Sequence, residues 1–228
     1  MVSAETRILR AARNSWRFDD LSAMEIFAQI QHYGGPTRLL DGTYNPLIAL
    51  WFAVAEKFDA HGSPLPDVDG RLFAFDASRS QLKLDYTWGG YELPWKDGEI
   101  EEWSTKLPSL WRPPEYNQRI SAQNSAFLLG GVPKVMKGAN ARYRKAPGDG
   151  LTAGTWKIDL IRLATSVTLS MNTIDRKPQG RSTPTFTMRV SAGGKPSIRK
   201  VLERHFGYIS ASLYPDLYGL SKYGTTSL

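Results

Sequence analysis

Cysteine is absent from the 228 residues of this sequence, and histidine is scarce. Without a thiol, the chain has no disulfide framework, no thiolate zinc site, no iron–sulfur cluster and no cysteine nucleophile. The three histidines, His32, His61 and His205, lie far apart along the chain. We therefore expect no metal site.

Long hydrophobic runs are also missing. The longest apolar stretch, residues 46–55, is far shorter than the roughly 20 residues that a membrane-spanning helix needs. The first residues contain four arginines and lack the apolar stretch of a signal peptide. These features predict a cytoplasmic protein without a membrane partner, and they leave the oligomeric state open. The GxSxG, P-loop, GxGxxG and HExxH signatures are absent too.

Charge is distributed unevenly along the chain. Residues 1–130 contain 13 Lys and Arg against 17 Asp and Glu, a net charge of −4, and residues 131–228 contain 16 against 5, a net charge of +11. Such a basic half is typical of a surface that binds nucleic acid or another polyanion. The alternative is an ordinary solvated basic surface. Nucleic acid is therefore a predicted partner through the C-terminal half.

Hydrophobic spacing predicts several helices and strands. Asp19 and Asp20 mark the start of a helix that continues to about residue 33, where Gly34 and Gly35 end it. Residues 36–40 suit a buried strand. Asn45 and Pro46 begin a second helix, which is apolar nearly all round and is expected deep in the core. Residues 71–76 and 119–129 are further strand candidates, and residues 197–206 form an amphipathic helix closed by a glycine.

The remaining segments are predicted loops. Residues 85–118 form a long aromatic-rich loop with four tryptophans, and residues 133–152 and 172–197 are basic loops. We divide the chain into a basic N-terminal arm, residues 1–20, and one domain, residues 21–228. The mixture of elements predicts an α+β fold, a single domain with a mixed or antiparallel central sheet and flanking helices.

The most informative stretch is residues 31–53, QHYGGPTRLLDGTYNPLIALWFA. It resembles the signature of the FRG domain family, a run such as QHxGxPTRLLDWTxNPxxALxFA. Further pieces match in the same order: residues 71–76, residues 119–123 followed by Phe127, and residues 202–220 with LYPDL. Two departures stand out. The Phe-Arg-Gly segment that gives the family its name is not found upstream, and Gly42 replaces a tryptophan.

The order of elements in this family resembles that of ADP-ribosyltransferases, and this resemblance implies NAD as a substrate. Three residues would then be catalytic: Asp41 and Thr43 in the middle motif, and Gln123 near the ribose. His32, Arg38 and Arg119 would bind NAD, with the arginines on its phosphates. Transfer from NAD breaks a glycosidic bond through an oxocarbenium-like state, which an uncharged Gln123 stabilises less well than a carboxylate. All six side chains are expected to converge on one cleft.

A structural interpretation stands beside each of these roles. Arg38 and Asp41 are close enough in sequence to form an ion pair, and Thr43 is well placed to orient the helix entry. Gln123 and His32 can satisfy backbone groups instead of a ligand. Trp51 and Phe52 are expected in the core.

Three functions follow from these alternatives. The first is an ADP-ribosyltransferase-like effector of the toxin or phage-conflict type, acting on nucleic acid or protein. The second is a non-catalytic nucleotide- or nucleic-acid-binding module that lacks the arginine of the Phe-Arg-Gly segment. The third is a structural or partner-docking domain. Fold alone does not decide among them.

Overall fold

A computed structural model describes residues 2–75, 81–82, 90–93, 109–129, 135–137, 140–143, 154–157 and 185–224. Within these ranges the chain combines α-helices and mostly antiparallel strands, which confirms the predicted α+β class. The helices are α1 (Val2–Trp16), α2 (Ala23–His32), α3 (Pro46–Val54), α4 (Gln118–Ala122), α5 (Lys195–Phe206), α6 (Ser210–Leu213) and α7 (Leu217–Tyr223). A short 3-10 helix, Ala192–Gly194, precedes α5.

The strands form three groups. The central sheet has the order β1-β5-β4-β3, in which β3 and β4 run parallel and the other pairs antiparallel, so the sheet is mixed as predicted. A second group pairs β2 with β9, and a third has the order β6-β7-β8. The strands are β1 (Leu40–Thr43), β2 (Gly70–Phe75), β3 (Gln81–Leu82), β4 (Ser109–Trp111), β5 (Ser125–Leu129), β6 (Val135–Lys137), β7 (Asn140–Tyr143), β8 (Gly154–Lys157) and β9 (Thr185–Val190).

The main core lies between the central sheet and helices α1 and α2. Phe127 and Leu129 of β5 are fully buried, and the Trp111 ring of β4 stacks on Phe127 at a centroid distance of 5.6 Å. Met24 and Phe27 of α2 pack against this face. A smaller core joins α3, β9 and α5 through Val54, Val190 and Leu202.

The boundaries of α2 differ from the prediction at the N-terminal end. Ser22, and not Asp19 or Asp20, caps the helix, because its hydroxyl accepts from the Glu25 amide at 3.2 Å while the Glu25 carboxylate accepts from the Ser22 amide at 2.8 Å. This reciprocal capping box satisfies two amides that a helix start leaves unpaired. The helix ends where predicted, since Gly34 takes a positive φ of 83°.

Helix α3 begins as predicted but is less buried than predicted. The Asn45 side chain accepts from the amides of Leu47 and Ile48, and Pro46 occupies the first turn. Only Ile48 and Val54 of the helix are fully buried. The expectation that Phe52 is in the core is wrong: it is 41% exposed, and Trp51 is half-buried. One side of α3 packs on β2 and α5, and Phe52 lies on the exposed side.

Residues 119–129 are not one strand. Asn117 caps α4 by accepting from the Ile120 amide at 2.8 Å, and Asn124 then turns the chain with a positive φ of 45° before β5 begins. Asparagine favours both positions, because its side chain caps helices and its backbone tolerates the left-handed region. The predicted strand is therefore confirmed for residues 125–129 and is wrong for residues 119–122, which are helical.

The predicted loops also contain regular structure. Trp111, expected in the aromatic-rich loop, is a buried strand residue, while Trp88, Trp95 and Trp103 lie outside the described residues. The basic segment predicted at 172–197 contains β9 and the first turn of α5. Helix α5 ends as predicted at Gly207, whose φ is 68°.

Residues 1–20, expected as a basic arm, contain helix α1, whose Leu9 and Ala12 belong to the main core. A buried ion pair also holds this helix: the Arg38 Nε donates to the Glu5 carboxylate at 2.6 Å, and the side chains are 6% and 7% exposed. A bidentate arginine–carboxylate pair is stronger than a single neutral hydrogen bond. Removal of one partner of a buried pair is strongly destabilising, because the remaining charge stays buried.

We expect Glu5→Ala to lower the free energy of unfolding by about 3–5 kcal/mol, because it removes the carboxylate that pairs with the buried Arg38 guanidinium. Urea unfolding measures this change. Asp19→Ala is the matched control, since it breaks the exposed Arg17–Asp19 pair and should cost less than about 1 kcal/mol. Equal effects of the two substitutions would contradict a central role for the buried pair.

Candidate functional site

Three polar side chains within residues 31–53, those of Gln31, Thr37 and Asp41, form a connected chain of hydrogen bonds. Thr37 Oγ1 accepts from the Leu39 amide at 3.1 Å and donates to Gln31 Oε1 at 2.6 Å. Gln31 in turn directs its Nε2 to Asp41 Oδ2 at 3.4 Å. The motif therefore ties the end of α2 to the first residues of β1 and orients the Asp41 carboxylate.

Arg38 is directed away from Asp41. The predicted Arg38–Asp41 pair is wrong, because Arg38 pairs with Glu5 of α1, 33 residues earlier in the chain. Burial lowers the pKa of Arg38, and the hydrogen bond and charge of Glu5 oppose that shift. The guanidinium predicted to bind NAD phosphates thus has a buried carboxylate as its partner.

Thr43 and Gln123 contact one another and connect three elements. Thr43 Oγ1 donates to the Gln123 carbonyl at 2.7 Å and accepts from the Asn45 amide at 3.0 Å. The Gln123 side chain is buried, and its Nε2 donates to the Leu213 carbonyl at 2.9 Å. These bonds place Thr43 at the entry to α3 and join Gln123 to α6.

Arg119 is the most connected residue of the site. It is 3% exposed; one terminal nitrogen donates to the His32 carbonyl, and the other donates to Asp216 Oδ1 at 2.7 Å. Asp216 also caps α7 by accepting from the Gly219 amide at 2.7 Å. Burial alone would raise the pKa of Asp216, but the bonds from Arg119 and Gly219 outweigh it and hold this pKa below its usual value.

Three tyrosine rings surround the same guanidinium. The Arg119 Cζ lies 5.1 Å from the ring centroids of Tyr214 and Tyr218 and 5.4 Å from that of Tyr33. Such cation–π contacts partly replace the hydration that the guanidinium loses when it is buried. Arg119 therefore joins the end of α2 to the C-terminal segment.

His32 is an uncharged residue at neutral pH. Its pKa is lowered from 6.5 to about 4, mainly by burial and also by the Arg119 charge, while the Asp216 charge opposes the shift. Its ring contacts Phe127 at a centroid distance of 5.4 Å, and its buried Nδ1 has no hydrogen-bond partner among the described residues. Its carbonyl, rather than its ring, is the group that Arg119 binds.

A cluster of partly exposed aromatic rings lies beside this network, and we call the surface that it lines the aromatic cleft. Tyr214 is at its centre: its ring lies 4.7 Å from Tyr223 and 6.2 Å from both Trp51 and Phe52. Burial raises the pKa of Tyr214, as do the hydrogen bond and charge of Tyr223 and the nearby Asp41 carboxylate. The Asp41 carboxylate is therefore near enough to influence Tyr214. The residue itself is exposed, yet partial loss of hydration raises its own pKa against the hydrogen bond from Gln31.

The six predicted residues therefore have different surroundings. Arg119 contacts His32 directly, Thr43 contacts Gln123, and Asp41 borders the cleft whose central tyrosine lies beside Arg119. Arg38 points to α1. Tyr214 and Tyr223 were not among the predicted site residues, although Tyr214 belongs to the LYPDL stretch that accompanies the motif.

Comparison with known proteins identifies one family. The family model of the FRG domain matches residues 3–62, which confirms the resemblance carried by residues 31–53. The match begins within α1, so it includes Glu5 as well as Arg38 and Asp41, and it ends before β2. No curated protein sequence and no solved structure matches the chain.

Other predictions concern residues that the structure leaves out or does not test. The basic clusters at 133–152 and 172–184 lie largely outside the described residues, so binding of nucleic acid stays a prediction. In the described ranges no helix is long and apolar enough to cross a membrane. The same ranges contain no group of three or more His, Asp or Glu side chains arranged to hold a metal ion.

The depressed pKa of His32 predicts a specific acid sensitivity. The unfolded chain binds this proton near pH 6.5 and the folded chain only near pH 4, so stability is lost as the pH falls through this window. The loss reaches on the order of 3 kcal/mol. Chemical unfolding at several pH values measures it.

We expect His32→Gln to flatten the pH dependence of stability between pH 6.5 and pH 4. His205→Gln, on an exposed position of α5, controls for the loss of an imidazole. If the His32→Gln variant keeps the full acid slope of the unsubstituted chain, a group other than His32 is responsible.

Proposed function

We propose that this chain is a nucleotide-binding module that recognises NAD in the aromatic cleft. The observation that carries the proposal is the ring cluster of Tyr214, Trp51, Phe52 and Tyr223, whose central tyrosine has its pKa raised by the Asp41 charge. Concave sites with aromatic walls and a few fixed polar groups are the usual form of a small-molecule site. Three separate segments of the chain supply these residues.

The charge of the cleft favours the oxidised cofactor. The nicotinamide ring of NAD⁺ is flat and positively charged, so it is attracted both to a carboxylate and to the faces of aromatic rings. Asp41 has one long hydrogen bond, at 3.4 Å from Gln31, and keeps an exposed edge toward solvent. NADH has an uncharged ring and gains much less from the same groups.

The pyrophosphate needs a cation, and the two predicted arginines have carboxylate partners. Arg38 binds Glu5, and Arg119 binds Asp216. Lys222 is an exposed alternative, because its Nζ lies 5.4 Å from the Tyr223 ring and 5.7 Å from that of Tyr218. A single exposed lysine is a weaker phosphate ligand than a bidentate arginine, and so we expect modest affinity.

ADP-ribosyl transfer is the second candidate, and Asp41 is the observation that favours it. A carboxylate beside the bound ribose stabilises the positive charge that develops when nicotinamide leaves. Gln123, the residue predicted for this role, gives its amide to the Leu213 carbonyl instead. An effector of the toxin or phage-conflict type would use this reaction on protein or nucleic acid.

We expect the chain to bind NAD⁺ more tightly than NADH, and Asp41→Asn to remove that preference. The substitution should lower the affinity for NAD⁺ about five- to tenfold and leave that for NADH unchanged, because only the charge on the nicotinamide ring differs. Isothermal titration calorimetry with both nucleotides measures this. Asp20→Asn, an exposed aspartate before α2, is the matched control.

Assaying the same samples for free nicotinamide separates the two candidates. Binding without release supports the module, whereas release that Asp41→Asn abolishes supports the transferase. Equal affinity of the unsubstituted chain for NAD⁺ and NADH would contradict the proposed role of the Asp41 charge. Absence of binding of either nucleotide would reject the proposal.

A further inference from the structure

A concave surface lies between α1 and α2, and it is separate from the residues that line the aromatic cleft. It is a groove of about 680 Å³ between α1 and α2, within the usual size range of a small-molecule site. Its walls are mostly apolar: Ile8, Ala11, Trp16, Phe18, Ile26 and Ile30. We call it the α1–α2 groove. All of these residues lie within the segment that the FRG-domain model matches.

Large apolar side chains remain exposed along this groove. Trp16 is 68% exposed, Phe18 42% and Ile8 38%. Apolar surface collected in one concavity marks a binding site more often than scattered exposed residues do. The groove therefore presents apolar surface that a ligand can cover.

An unusual turn shapes one end of the groove. Arg17, which follows α1, takes a positive φ of 61°, a conformation uncommon for a residue other than glycine. The turn brings the Phe18 amide back to the Ala12 carbonyl at 3.1 Å and places the Phe18 ring on the same groove as Trp16. A left-handed residue just past the last helical residue is a common helix ending, and here it fixes the position of Phe18 on the groove.

The opposite end of the groove is positive. Arg7 lines it, is exposed, and forms no ion pair with a carboxylate of the described residues. Arg7 and Trp16 are nine residues apart on one helix, which corresponds to about 14 Å at 1.5 Å per residue. The groove thus has a cationic end and an aromatic end, separated by an apolar floor.

We propose that the α1–α2 groove binds a single-chain amphiphilic carboxylate of the fatty-acid class. An extended chain of roughly twelve carbons matches the distance between the two ends. The carboxylate meets Arg7, and the alkyl chain covers Ile8, Ala11 and Ile30 before it reaches Trp16 and Phe18. This site is independent of the NAD proposal, because none of the residues that form the aromatic cleft lines the groove.

Titration with dodecanoate below its micelle concentration tests the proposal, with calorimetry as the readout. We expect a dissociation constant below about 100 µM. Ala11→Trp fills the groove and should abolish binding. Ile8→Glu, at an exposed position that the fold tolerates, should weaken binding at least about tenfold, because it puts a charge of the same sign as the ligand on the groove wall.

Two ligands with the same alkyl chain, one with a charged and one with an uncharged headgroup, test the role of Arg7. Arg7→Gln should weaken dodecanoate about threefold and leave dodecanol unchanged, and Arg204→Gln on α5 should change neither. Absence of dodecanoate binding up to about 1 mM overturns the proposal. Undiminished binding by both Ala11→Trp and Ile8→Glu also overturns it, as does binding to anionic phospholipid vesicles without binding of the monomeric ligand.

Discussion

The buried guanidinium of Arg119 is the contact on which the arrangement of the site depends. It joins the last carbonyl of α2 to the carboxylate that caps α7, and tyrosine rings from both segments lie against it. These groups are separated by 87 and 97 residues from Arg119 in the chain. A buried cation is costly unless it is paired and hydrogen-bonded. The C-terminal segment therefore has one favourable position, and the walls of the aromatic cleft are set by it.

The contacts of residues 31–53 show what most of the polar side chains of this motif do in the fold. Most of its polar side chains serve the scaffold: Gln31 and Thr37 form one chain of bonds, Arg38 holds α1, and Thr43 and Asn45 fix the start of α3. Asp41 differs from them, because it combines a weak hydrogen bond with a position at the edge of the cleft. The described contacts therefore give most of the polar side chains of this motif a structural role.

Local features of the fold could be predicted from the sequence, and distant partners could not. The Asn45–Pro46 helix start, the glycine after α5 and the α+β class follow from capping chemistry and periodicity, which act within a few residues. The partner of Arg38 lies on another helix, and spacing along the chain suggested Asp41 instead. Ser22 in place of Asp19 shows the same limit on a smaller scale, since both residue types cap helices.

The exposed side of α3 explains why the cleft itself was missed. An apolar helix predicts burial on all sides, yet Phe52 is exposed, and the rings of Phe52 and Trp51 lie beside Tyr214, which is far away in the sequence. Apolar composition does not distinguish a core from a binding site, because both are made of the same residue types. The position of Tyr214 decides between them, and it depends on the contacts of Arg119.

A double-mutant cycle between Arg119 and Asp216 tests this dependence most directly. Arg119→Met, Asp216→Asn and the double variant are compared by urea unfolding, and asparagine is chosen because it still caps a helix. We expect a coupling free energy of about 2 kcal/mol, larger than that of the more exposed Arg199–Asp67 pair measured in the same way. A coupling below about 0.5 kcal/mol would contradict the account, because the C-terminal segment would then be held in place without Arg119.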